Sequence, residues 1–234
     1  SNGFVLNQGL INAAMGGSVA LIGQQVENEG VISAQLGAVT LAAGKEAVVS
    51  FDQEGLLGVT VTEAVLQEEI GIDAAVVNSG EINAENGQVL LTASVSQEIF
   101  SAVVNAGEMR NATSVVMDSD GGFTLSAGSN VATSGDINVS GAEAGDVVIL
   151  GENVSVTGDV TANASDAEYA GLIEIHSRDT TMIEGESMIV ADADNGVGGD
   201  IKLLGANVGV MDSAIVSASG AVGGGQLLVG GDET

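Results

Sequence analysis

His176-Ser177-Arg178-Asp179 contains the single histidine of this 234-residue chain, and it is the one place where His, Ser, Arg and Asp meet. A serine nucleophile needs a base in contact with its Oγ and a third group that orients the base. Successive strand residues point to opposite faces, so these four neighbours cannot form a triad by themselves. The plain reading is a strand residue next to a corner. Acids offer a second chemistry. Two carboxylates held about 5 to 9 Å apart can hydrolyse a glycosidic bond, and Asp146, Asp200 and Asp232 recur near the ends of similar segments. An acid that recurs at corners is ordinarily a solvated turn residue.

The third candidate is DADNGVGGD, where Asp192, Asp194, Asn195 and Asp200 surround three glycines. Carboxylate and amide oxygens suit calcium. The spacing is one residue short of an EF-hand loop, and no segment carries the Gly-Gly-x-Gly-x-Asp calcium repeat. Calcium is the best small-ligand reading, and a polar turn between strands is the plain one. Gly223-Gly224-Gly225 has no following Lys and no helix, so it does not read as a phosphate loop. No residue is assigned a catalytic, cofactor-binding or metal-binding role.

The balance of the chain narrows its partners. It has 32 acidic and four basic residues, Lys45, Arg110, Arg178 and Lys202, for a net charge of −28. Nucleic-acid affinity rests on basic patches, and anionic membranes repel such a surface. Neither is expected as a partner, and no membrane insertion is expected. That charge favours a salty environment, where screening weakens self-repulsion. Cysteine and proline are absent, so no disulfide obstructs threading of an unfolded chain through a pore. No basic segment followed by an apolar run marks a signal peptide. Neither end reads as a natural terminus, so the chain is expected to be a piece of a longer protein. With Tyr169 and four Phe as its only aromatic residues, the core must come from Val, Ile, Leu and Ala.

The elements that would position these residues are repeats. Asn-x-Gly recurs at Asn7/Gly9, Asn28/Gly30, Asn78/Gly80 and Asn105/Gly107, followed two residues later by Ile11, Ile32, Ile82 or Met109. Ala13, Ala34 and Ala84 come next, and then Val19/Leu21, Val39/Leu41 and Val89/Leu91. A related unit starts at Gly122, Gly145, Gly171, Gly199 and Gly225, at spacings of 23, 26, 28 and 26. LGENV from Leu150 and LGANV from Leu204 hold equivalent places. The apolar period within each unit is two, which means strands. Short strands in units of roughly 20 to 30 residues predict an all-β solenoid of about nine stacked coils. Asn and Gly are expected at corners with left-handed backbone, and equivalent Asn residues could form a hydrogen-bonded ladder. A β-sandwich does not account for the in-register repetition.

Two excursions interrupt the repeat, over Lys45–Val77 and Ser94–Val104. In the first, Val48–Phe51 and Val59–Val61 alternate like a hairpin, and Thr62 to Ile70 reads as a short helix with Thr62 as N-cap. In the second, Ser96 caps a helical turn or two reaching Val104. Both are expected to cover an apolar face of the rod or to present a recognition surface.

NQGLINAAMGGSVALIG (7–23), VENEGVISAQLGAVTLAAG (26–44), SFDQEGLLGVTV (50–61), VVNSGEINAENGQVLLTA (76–93) and SASGAVGGGQLLVGGD (217–232) resemble, in sequence and in order, the filamentous haemagglutinin family of bacterial exoproteins. The Asn-Pro-Asn motifs of that family's secretion domain are missing. The chain therefore resembles the solenoid that follows the domain, as a single segment over 1–234. The resemblance implies a right-handed parallel β-helix and export by two-partner secretion through an outer-membrane transporter, engaged by the missing domain. It also implies a secreted or cell-surface location on a Gram-negative bacterium, and adhesion to a glycan or protein of a host or bacterial cell. The expected function is a non-enzymatic rod and interaction surface of an adhesin. The alternatives are a β-helical polysaccharide lyase or glycosidase, or a calcium-dependent carbohydrate-binding segment.

Overall fold

The structure, a computed structural model, describes residues 3–51, 57–64, 74–93, 101–112, 114–118 and 130–231. Within them the chain is an all-β parallel β-helix, as its period-two repeats predict. Eight coils stack, each contributing one strand to each of three faces. The first face begins with Phe4–Asn7, Gln25–Asn28 and Ala74–Asn78; the second with Leu10–Asn12, Val31–Ser33 and Glu81–Asn83; the third with Val19–Gly23, Ala38–Ala43 and Gln88–Ala93. Two long strands, Asp146–Val156 and Leu172–Ile183, run from the third face of one coil into the first face of the next, which joins these two faces into one sheet. All pairing between coils along the faces is parallel.

The core is a set of aliphatic columns running through the stack. Ile11, Ile32, Ile82, Met109, Ile137, Val160, Ile189 and Val216 stack on the second face. Val19, Val39, Val89, Val115, Val147, Ile173, Ile201 and Leu227 stack on the third. β-Branched side chains fit a pleated, half-buried surface. Burying each contributes about 1.5 to 3 kcal/mol, so the aromatic-poor composition still yields a continuous core. The equivalence of LGENV and LGANV holds, since Leu150, His176 and Leu204 share one column.

The Asn ladder forms. Asn7 Nδ2 donates to Asn28 Oδ1 (2.7 Å), Asn28 to Asn78 (2.8 Å), Asn78 to Asn105 (2.8 Å), and Asn105 to Thr133 Oγ1 (3.1 Å). Thr133 closes the chain by donating to the Gly135 carbonyl at 3.0 Å. Asn28, Asn78 and Asn105 are fully buried, so each amide needs these partners. Beyond Thr133 the position becomes apolar, with Val156, Ile183 and Val210.

The backbone at this corner differs from the expectation. Neither the ladder Asn residues nor Gly9, Gly30, Gly80 and Gly107 have positive φ. Gly30, Gly80 and Gly107 are required by close stacking: a Cβ on Gly80 would sit 2.0 Å from the Gly30 carbonyl oxygen, and one on Gly107 would sit 2.0 Å from that of Gly80. Left-handed backbone occurs at the next corner, at Gly16, Leu36, Asn86 and Asn111, and at the ladder corner itself in the seventh and eighth coils, at Gly185 and Asp212.

The excursions also differ in part. The hairpin forms as predicted, with Glu46–Phe51 antiparallel to Leu57–Glu63. Thr62 does not cap a helix, because it lies in the last residues of that strand, at a bulge between Val61 and Glu63, which pair with Ala47 and Glu46 of the first hairpin strand. The remainder of the predicted helix lies at or beyond the edge of the described residues. Ser96 to Phe100 lie outside them too. Ser101 to Val104 are strand, with Val103 fully buried between Val76 and Val131, and this burial in the parallel ladder overrides local helical spacing. Regular coils therefore resume at Ala74 and Ser101, inside the predicted excursions. The predicted unit at Gly122 lies outside the described residues. The slot beneath Val147 and Ile149 is filled by Val115 and Met117 of Ser114–Asp118, which leaves eight coils rather than nine among the described residues.

Candidate interaction surface

The His176–Asp179 tetrapeptide sits at the corner within Leu172–Ile183. His176 is partly exposed, whereas Ser177 is buried. The Ser177 and Thr181 hydroxyls are hydrogen-bonded to each other (2.8 Å), and Thr181 donates to the Leu204 carbonyl (2.6 Å). Arg178 faces outward to Glu152 (3.6 Å), and Asp179 accepts from Asn207 Nδ2 (3.2 Å). The four side chains thus disperse as strand alternation requires, with Ser177 engaged in holding the corner. Thr181 was not singled out in the sequence. Its signal is that it occupies a column otherwise filled by Val.

Two of the acidic candidates, Asp192 and Asp146, serve as caps between coils. Asp192 Oδ1 accepts from Ser217 Oγ (2.7 Å) and from the Ser219 amide (2.6 Å) of the next coil. Asn195 donates to the Ser165 carbonyl (2.8 Å), while Asp194 and Asp200 are exposed at the surface. Asp146 Oδ1 accepts from the Leu172 amide (3.1 Å), and Asp159 Oδ1 from the Met188 amide (2.9 Å). Asp146 and Asp200 share an outward column, separated by Leu172. Asp232 lies outside the described residues. Gly225 is stacked under the backbone of the preceding coil, where a Cβ would lie 2.0 Å from the Gly199 oxygen. That contact gives Gly225 a structural role, while a Cβ on Gly223 or Gly224 would meet nothing closer than 3.9 Å.

Each of the four basic residues is ion-paired. Lys45 meets Glu63 (3.2 Å), Arg178 meets Glu152, and Lys202 meets Glu174 (3.7 Å). Arg110 donates through Nε to Glu81 (3.1 Å), and this hydrogen bond and charge hold its pKa above the usual value. Arg110, Arg178 and Lys202 thus stitch neighbouring coils, Lys45 closes the base of the hairpin, and the four form no patch for an anionic partner.

Two surfaces remain for recognition. The hairpin lies over the outer side of the third face: Val59 and Val61 pack on Ala42, with Ala20, Ile22 and Ala47 around them. It covers an apolar strip while turning Val48 and Val49 to solvent. The second is a shallow groove of about 360 Å³ on the first face, lined by Asn130, Asn153 and Thr180 beside Ala132, Ser155 and Met182. Asn153 Nδ2 donates to Asn130 Oδ1 at 2.9 Å. These lining residues are uncharged on a chain dominated by carboxylates. Their amides and hydroxyls can exchange hydrogen bonds with sugar hydroxyls or peptide groups, with aliphatic carbon alongside. No protein-family model and no curated protein matches the chain.

Proposed function

We propose that this chain is a rod and interaction surface of a secreted or cell-surface bacterial adhesin of the filamentous haemagglutinin kind, exported by two-partner secretion. The observation that carries the reading is how the five resembling stretches map onto the fold. Those at 7–23, 26–44, 76–93 and 217–232 fall on the first, second, third and eighth coils, and the one at 50–61 falls on the hairpin. The resemblance therefore follows units of structure. A stack of coils with one laid-on hairpin gives a stiff scaffold that holds surface features at fixed spacing. The absence of cysteine suits passage through a transporter unfolded.

The test is secretion and adhesion of the natural full-length protein. Co-expressed in a Gram-negative host with a two-partner-secretion transporter, the protein should reach the medium, and without the transporter it should be retained. Retention in both cases would overturn the secretion reading. Beads coated with the 234-residue chain should bind epithelial cells or a glycan array, with loss of binding when the hairpin is replaced by a short Gly-Ser link or when Asn153 and Thr180 are changed to Asp. Beads that bind nothing would reduce the chain to a spacer.

A further inference from the structure

The groove on the first face owes its shape to side-chain size. One outward column of that face reads Val104, Ala132, Ser155 and Met182. Ala132 and Ser155 are small residues between two larger ones, so the surface dips for two coils and rises again at either end. The neighbouring outward column, Asn130, Asn153 and Thr180, forms one side of the dip, with Asn153 Nδ2 donating to Asn130 Oδ1 at 2.9 Å. These residues belong to coils four to seven, each paired with another coil on both sides. The lining carries no charge, in a chain of net charge −28. At the corner before it, Arg178 is engaged with Glu152, and Asp179 with Asn207.

We propose that this groove binds two adjacent rings of a neutral, extended, equatorially linked oligosaccharide lying along the rod axis. The proposal rests on the reading of the chain as an adhesive rod and names the ligand of one of its surfaces. Side-chain amides and hydroxyls both donate and accept, as sugar hydroxyls do. Among the described residues, Asn130 Nδ2 and Asn153 Oδ1 bond no other side chain, so both can turn to a ligand. Ala132 and the Met182 thioether offer carbon to the C–H face of a ring. Coils rise by about 4.8 Å, close to the advance per ring of such a sugar chain. Successive rings therefore meet equivalent side chains on successive coils. A peptide strand fits less well, because the backbone here is paired on both sides and presents no edge for strand addition. Acidic glycans are repelled by the net charge.

Amide NMR of the nitrogen-15-labelled 234-residue chain, titrated with cellobiose, maltose, digalacturonate and an Ala-Ser-Ala peptide, tests this. Cellobiose should shift the Asn130 and Asn153 side-chain signals with a Kd of about 1 mM. Maltose, whose axial linkage bends the chain, should bind at least about fivefold more weakly, and digalacturonate should leave the spectrum unchanged. Ser155→Leu fills the dip and Asn153→Ala removes the central amide; each should weaken cellobiose binding about fivefold or more. Asn83→Ala, on the second face, should bind as the parent does. Thermal unfolding checks that each variant is folded, and where Ser155→Leu is not, Asn153→Ala and the choice among sugars still decide. No shift at about 20 mM cellobiose, cellobiose binding no tighter than maltose, or binding untouched by both variants would overturn the proposal. So would shifts caused by the peptide and by no sugar, which would assign the groove to a protein partner. Coated beads that bind cells while the chain ignores cellobiose would sink this proposal alone. Cellobiose binding by a chain that adheres to no cell would sink the adhesin reading alone.

Discussion

Asn28 and Asn78 lie fifty residues apart in sequence and 2.8 Å apart in space, the Nδ2 of the first donating to the Oδ1 of the second in a fully buried ladder. The hairpin lies between them in sequence, and the coil on its far side resumes in register. The ladder fixes that register, since a slip would leave buried amides without partners.

Asn78→Ala should destabilise the rod more than loss of one surface contact would. It strands the Asn28 donor and the Asn105 acceptor geometry on either side, at about 2 to 4 kcal/mol for the two buried groups. Urea unfolding of the variant should show a lower midpoint, while Asn83→Ala, which loses one exposed amide contact to Asn111, should change it by under about 1 kcal/mol.

Gly80→Ala and Gly185→Ala separate two reasons for glycine. At Gly80 the new Cβ would lie 2.0 Å from the Gly30 carbonyl oxygen, and backbone must move. A loss of about 3 kcal/mol or more is expected. Gly185 has φ +75 with open space around it, so Ala there should cost about 1 kcal/mol. Equal losses in thermal unfolding would contradict the stacking argument.

Val61→Ala should loosen the hairpin without melting the rod. Val61 packs on Ala42 outside the main core, and deletion of its two methyl groups costs about 1 to 2 kcal/mol. Limited proteolysis within 46–63 should accelerate while amide exchange in the parallel coils stays slow.

Glu27 gives a pH signature. Burial first, and then the neighbouring Glu29 charge, raise its pKa above the usual carboxylate value. A raised carboxyl pKa means that the folded chain binds more protons than the unfolded one, so stability falls as pH rises from about 4.5 through the folded value. Glu27→Gln should therefore raise the Tm at pH 7, and the gain should vanish as pH drops below 4.5. A Tm difference independent of pH would rule out this origin.

Asp192→Ala should remove the bonds to Ser217 and Ser219 and lower stability by about 1 to 2 kcal/mol. Because that carboxylate already serves the next coil, calcium should shift the Tm no more than magnesium does at equal concentration. A calcium-specific increase abolished by Asp192→Ala would instead restore the calcium reading of DADNGVGGD.

The strand period and the repeating Asn-x-Gly-x-Ile units were local patterns, and they carried the solenoid, its three interior columns and the Asn ladder. The hairpin was legible from alternation at 48–51 and 59–61. Helical spacing misled at 101–104, because Val103 is held by Val76 and Val131, neither of which is near in sequence. The role of Ser177 and the capping acids was hidden for the same reason: the groups they bond belong to other parts of the stack.

The sequence by itself determined that each unit alternates, that no unit can bury its apolar side alone, and that a stack of like units can. Only the tertiary structure decided which residues become stacking neighbours. Asn28 finds Asn78, Gly80 presses on Gly30, and Asp192 caps Ser219 because parallel coils meet at right angles to the chain direction. Contacts in that direction depend on the length of every intervening segment, which no local pattern encodes.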